Sequence, residues 1–310
     1  MPARLLRPAL CAVLAGIIGG ALVACGSSRG GGERLIVYEA SKDSVTNIYT
    51  IDPADGTTNQ LTHGTGFDGN PAWSRDYTRI IFASNRDGQA QYDLYTMNAD
   101  GSGVRRLTDT PGGEYSAKYS PDGTSIAYVL QDGSGWIVRV MDADGRNQRQ
   151  VAGPYEFAEF PSWTHDGSQL YYSAIEQGGG SGPGYGRAHI YSANVKTGEV
   201  RTRIETAGPD VCPHFSRDGS RLTYAAPNGS NDLDIFAHDM ASTDTSGAHD
   251  TALTTDPARD DYGNASPDDR TMVFVSDRDG NPELYLMERD GSHERRLTNT
   301  PGLSENVPDW

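Results

Sequence analysis

The sequence predicts an all-β fold: a six-bladed β-propeller of four-stranded antiparallel blades, the first blade closed by the C-terminal strand. Three observations predict it. An aromatic residue, Ser or Thr, any residue, Asp and usually Gly recur as one motif, with Ser/Thr positions 46, 44, 52 and 50 residues apart. That period fits a four-stranded blade. Each repeat carries short apolar runs bounded by turn residues, the mark of strands rather than helices. The two ends of the chain supply complementary parts of one further blade.

Composition sets the class. The 310 residues include 37 Gly and 17 Pro with 9% aromatics, which is turn-rich yet supplied with core formers, so the chain folds. Lys and Arg number 26 against 42 Asp and Glu, a net charge of −16. That field repels nucleic acid, which is not an expected partner.

In chain order, Arg4 and Arg7 precede an apolar run from Ala9 to Ala24, ending Leu22-Val23-Ala24-Cys25. This resembles a bacterial lipoprotein signal peptide with its lipobox. The resemblance implies that residues 1–24 are a signal peptide and that Cys25 is lipidated, which would place the chain outside the cytoplasm, anchored to the cell membrane or outer membrane. Residues 25–33 read as a Gly/Ser-rich flexible tether, and 34–310 as the propeller. With Cys11 and Cys25 so assigned, Cys212 stands alone, read as a small buried hydrophobe.

Residues 34–62 provide three strands (Leu35-Ile36-Val37-Tyr38, Asn47-Ile48-Tyr49, Gln60-Leu61-Thr62) without an opening strand. The repeats follow as Trp73-Ser74-Arg75-Asp76-Tyr77, Tyr119-Ser120-Pro121-Asp122-Gly123, Trp163-Thr164-His165-Asp166-Gly167 and Phe215-Ser216-Arg217-Asp218-Gly219, with Ala265-Ser266-Pro267-Asp268-Asp269 as a degenerate copy. Within them, Asp100-Gly101, Asp144-Gly145 and Asp290-Gly291 supply the positive-φ glycines of tight hairpins, before strands ending Arg106-Leu107-Thr108 or Arg296-Leu297-Thr298. Asn306-Val307-Pro308-Asp309-Trp310 is the missing opening strand. Pairing residues 307–310 with 35–38 makes six blades without an open edge, and Trp310 should fill the interblade slot that Trp73 and Trp163 fill elsewhere.

The Pro-x-Trp-Ser-x-Asp-Gly, Leu-Tyr-x-Met-x-x-Asp-Gly and Arg-Leu-Thr elements resemble the PD40 repeats of TolB-type six-bladed propellers over roughly residues 34–310. Similar repeats occur in the propellers of prolyl oligopeptidase-like peptidases and oligogalacturonate lyases, so the resemblance speaks for fold more than for function. TolB carries an additional N-terminal α/β domain, for which residues 26–33 leave no room.

Aligned on the repeat aromatic, the residue five places earlier is Asp68, Glu114, Ala158, Asp210, Asp260 and Glu305, with Glu159 beside the exception. Propeller geometry gathers these around one channel mouth. Two readings are open: a ring that recruits a cation such as calcium or a basic partner group, or residues that cap adjoining turns. The Gly-rich residues 178–186 lie on the same face as a flap or insertion, and the insertion 239–256 belongs to the opposite face. No Gly-x-Ser-x-Gly elbow occurs within residues 34–310, His293-Glu294-Arg295-Arg296-Leu297 lacks a second histidine, and Asp142-Ala143-Asp144-Gly145 lacks a calcium loop's closing Glu. The expected function is therefore a non-catalytic, monomeric, Tol-Pal-like interaction module without a cofactor. It would bind an envelope protein or a peptidoglycan-associated partner through the acidic face, the alternative being a carbohydrate-active or peptidase-related propeller.

Overall fold

A computed structural model describes residues 34–88, 91–178, 186–229 and 232–310. Its strands form six four-stranded antiparallel sheets, with no helix among the described residues. Blade 1 joins Ser304–Asp309 to Ile36–Lys42, Val45–Ile51 and Thr58–Gln60. Blade 2 runs Asp68–Trp73, Arg79–Ser84, Asp93–Asn98 and Arg105–Arg106, and the other four repeat its order. Their inner strands are Gly113–Tyr119, Phe157–Trp163, Val211–Phe215 and Asp260–Ala265. The six inner strands contact one another in turn around an axis, the last meeting the first.

The repeat motif is a set of hydrogen bonds. In every copy the Ser or Thr hydroxyl donates to the Asp two residues on, at 2.6–2.7 Å, and accepts the N–H five residues on, at 2.9–3.1 Å. An Asx-type turn thus fixes how the inner strand hands over to the second. The Leu-Thr endings are equally specific. Thr62, Thr108, Thr254 and Thr298 accept the backbone N–H of Ile48, Leu94, Ile235 and Leu284 at 2.8–3.0 Å, replacing the ladder bond lost where the short outer strand ends. Gly145 has φ +93°, and a Cβ there would lie 2.6 Å from the Leu107 carbonyl, so the hairpin needs glycine to seat against the preceding blade.

Closure occurs as expected, with a shifted register. Val37 pairs Asp309, and Glu39, Ala40 and Ser41 pair Asn306, Glu305 and Ser304 across a bulge. The pairing extends further toward Ser304 than residues 307–310 alone, because Val307 adopts φ +48° and interrupts the ladder. Trp310 is 5% exposed and packs among Ile36, Tyr38, Ala40 and Ile51 of blade 1 and Val273, Val275, Leu284 and Leu286 of blade 6. Trp73 and Trp163 take the corresponding slots between blades 1 and 2 and between blades 3 and 4. The 239–256 insertion contains the fourth strand of blade 5, Thr251–Ala252, and the connection that reaches it from the third, Leu233–Asp239. It is tied down by Asp250, which accepts Tyr224 Oη at 2.8 Å and faces His238 Nδ1 at 2.8 Å.

Candidate functional site

The inner strands begin on one face of the disc, called upper here, and end on the other, the lower. The expected acids open these strands on the upper face. Asp68 accepts Ser84 Oγ at 2.6 Å and Arg86 Nη2 at 2.9 Å. Glu114 accepts Thr108 Oγ1 at 3.1 Å and also Thr110. Asp210 accepts the N–H and hydroxyl of Thr206 at 2.9 and 2.7 Å and lies 3.0 Å from His189 Nδ1. Asp260 accepts Arg278 Nη2 at 3.0 Å, and Glu305 accepts Thr300 Oγ1 at 2.8 Å and also Thr298. All five are buried. Burial pushes Glu114 up to about 7 and Asp260 up to about 6, and raises Glu305. Glu114 and Glu305 grip the Leu-Thr ending of the preceding blade, so these acids lock neighbouring blades together.

The sixth position differs. Ala158 is buried without charge, and no hydrogen-bond partner of Glu159 is found among the described residues. Burial, with the charge of Glu39, pushes Glu159 up to about 8. Glu39 accepts the Asn70 N–H at 2.6 Å, and burial lifts it to about 7. Asp261 lies 2.6 Å from Arg259 Nη2, yet burial outweighs that cation and lifts it to about 7. The upper funnel therefore holds three carboxylates from blades 4, 1 and 6 that take up protons readily. Among the described residues no group of three or more His, Cys, Asp or Glu is placed to hold a metal ion.

Below the funnel each inner strand bulges at one residue with positive φ: Asn70, Ser116, Phe160, Cys212, Tyr262 and Val307. The bulge breaks the register in all six blades. Phe160 and Tyr262 meet edge to face, 5.4 Å between ring centroids, and narrow the channel. Cys212 is buried there and burial drives its thiol up, which keeps it protonated and inert.

The lower mouth was not foreseen. Two residues past the bulge stand Ala72, Lys118, Ser162, His214, Asn264 and Asp309, each followed by the repeat aromatic except Asn264, which Ala265 follows. Asp309 accepts the Trp73 N–H at 2.7 Å, Asn264 Nδ2 at 3.1 Å, and Lys118. Lys118 reaches past blade 2, where Ala72 leaves room. A cavity of about 130 Å³ opens above these groups, with Arg75, His165, Arg217 and the aromatics on its wall. Burial and Lys118 depress His214 to about 4, so its ring is neutral. The signal in the sequence was the varied, mostly polar column one residue before a position that is aromatic in five of the six blades.

The TolB beta propeller domain family, PD40, matches residues 22–180 and 124–310. The chain belongs to that family. The Tol-Pal system protein TolB of Bordetella pertussis is 34% identical over 166 residues, 52% of this chain and 34% of TolB. The uncharacterized peptidase YuxL of Bacillus subtilis is 30% identical over 200 residues, 64% of this chain and 28% of YuxL. The crystal structure of TolB from Acinetobacter baumannii superposes with a TM-score of 0.74 at 18% identity, covering 89% of this chain and 66% of that one, a likeness of fold. This TolB-family propeller spans half or less of the length of the curated relatives it matches.

Proposed function

We propose that this chain is a lipid-anchored, extracytoplasmic propeller that binds an envelope protein or peptidoglycan-associated partner and carries out no reaction itself. Membership of the TolB propeller family, with a relative named for the Tol-Pal system, is the observation that carries this reading. The upper funnel adds the chemistry. Asp68, Glu114, Asp210, Asp260 and Glu305 are taken up by hydrogen bonds and ion pairs within and between blades, while Glu159, near Glu39, is left to meet a partner's cationic or hydrogen-donating group. Such a group would stabilise the ionised carboxylates that burial now disfavours.

Affinity capture tests this reading with wild type and Glu159→Lys, each also melted. Loss of one captured envelope component at unchanged melting temperature supports it, and equal capture by both proteins refutes the role of Glu159. Cys25 lies outside the described residues, and metabolic labelling with a fatty-acid analogue tests its part. Label carried equally by wild type and Cys25→Ser would refute the anchor. The match to YuxL motivates one further arm, because hydrolysis of peptide substrates by the purified chain would favour a peptidase-related reading instead.

A further inference from the structure

From the cavity on the lower face, and independently of the upper funnel, we infer that this mouth is a binding site for a peptide carboxylate. The first observation is charge. In a chain of net −16, the cavity wall carries Arg75, Lys118 and Arg217 against one acidic side chain, that of Asp309. That carboxylate is already taken up, accepting from Trp73 N–H, Asn264 Nδ2 and Lys118. Lys118 gives Asp309 one of its three ammonium hydrogens, and its side chain, 24% exposed, leaves the others to the cavity.

The second observation is a pair of orphaned groups. Asn264 is 3% exposed, its amide nitrogen is used, and its Oδ1 has no partner. Nδ1 of the neutral His214 ring is likewise buried and unpartnered. Both side chains line a smaller cavity of about 40 Å³ that shares Lys118, Ser162 and His214 with the larger one. Buried polar groups in folded proteins almost always have partners. Here two converge from neighbouring blades on one axial space, beside a cation with hydrogens to spare.

One ligand chemistry answers all of these groups. A carboxylate accepts from Lys118 and from the arginines of the rim, and an amide N–H a few bonds away donates to Asn264 Oδ1 or His214. A peptide offers that pair at its free C-terminal end, or at an Asp or Glu with its own N–H. The floor is polar and small, and the aromatics point away from it: Trp73, Trp163 and Trp310 spend their Nε1–H on the carbonyls of Leu35, Lys118 and Arg34. They form walls, not a stacking platform. Arg217 closes one side of the mouth, its guanidinium donating to the main-chain oxygen of Trp310 at 3.1 Å and to the Tyr77 hydroxyl.

Calorimetric titration of the full chain tests the site with three probes. Acetylglycine presents a chain-end carboxylate, acetylaspartate amide a side-chain carboxylate, and acetylglycinamide neither. Saturable binding of either acid, with none of the neutral amide, is expected, and which acid binds tells chain end from side chain. Lys118→Met should weaken binding roughly tenfold or more, the loss of one charged hydrogen bond. Arg75→Gln, at an exposed position, should weaken it less and flatten its dependence on salt. Binding of neither acid, equal binding of acid and amide, or wild-type affinity in both variants would overturn the inference.

Discussion

Replacing Trp310 by alanine should open the ring at its single non-covalent closure. The side chain is 5% exposed, wedged among eight apolar residues of blades 1 and 6, and its Nε1–H donates to the Arg34 carbonyl at 2.7 Å. Truncating a buried tryptophan costs about 3–5 kcal/mol, and the orphaned carbonyl of Arg34 adds to it where water cannot reach. For a domain of this size each kcal/mol lowers the melting temperature by roughly 2–4 °C, so Trp310→Ala should melt roughly 6–20 °C below wild type. Calorimetry or circular dichroism reads this directly. Trp310→Phe separates the two contributions, since it fills most of the slot but loses the hydrogen bond, and it should fall between the others. Deleting residues 304–310 goes further, because it bares Ile36–Lys42 as an apolar sheet edge and should bring aggregation as well as a lower melting point. A shift of no more than about 2 °C for Trp310→Ala would show that the slot does not hold the ring, and would refute the closure argument.

Stability should fall as pH rises from about 4.5 to about 8, because Glu159 stays protonated in the folded chain up to about 8 but ionises in the unfolded chain near its ordinary value of 4.5. The unfolded state then binds fewer protons than the native state, which gives stability a negative slope with pH. Glu159→Gln should flatten that slope in urea titrations across this window, leaving the part contributed by Glu39, Glu114, Asp260, Asp261 and Glu305 and opposed by His214, and an unchanged slope would contradict the burial of its charge. Thr298→Val removes the acceptor for the Leu284 N–H and the donor to Glu305 while keeping the shape, and should cost about 1–3 kcal/mol in chemical denaturation. A neutral result would mean that the Leu-Thr ending is not what joins blade 6 to blade 1.

The fold was legible because its determinants are local and repeated. Ser74, Ser120, Thr164, Ser216 and Ser266 make the same two hydrogen bonds, so the motif and its bonding are one fact seen five times. Closure was legible for the same reason, as Trp310 ends a strand of the same pattern. The register was not, because the positive φ of Val307 belongs to a column of unrelated side chains (Asn70, Ser116, Phe160, Cys212, Tyr262) that shares no residue type from which a bulge could be read. The upper acids could be aligned at the openings of the inner strands, but a sequence does not say which carboxylates point at solvent and which at the hydroxyl of the neighbouring blade. Thr108 and Thr298 decide that for Glu114 and Glu305, and they lie six and seven residues away, across a blade boundary.

The bulge also explains why the two mouths have opposite chemistry. A strand of strict alternation that opens with a buried acid would place the residue four positions later on the same side, facing the neighbouring blade. One inserted residue with positive φ breaks that alternation. Lys118, His214, Asn264 and Asp309 are thereby turned toward the axis, while Trp73, Trp163, Phe215 and Trp310, next in sequence, enter the interblade slots that hold the ring. Packing keeps that position aromatic in five of the six blades and leaves the column before it free to vary. Selection for a ligand can act on that free column without disturbing the blades. A cationic cup can therefore sit in a strongly acidic protein, directly beneath a funnel of carboxylates, separated from it by the rings of Phe160 and Tyr262.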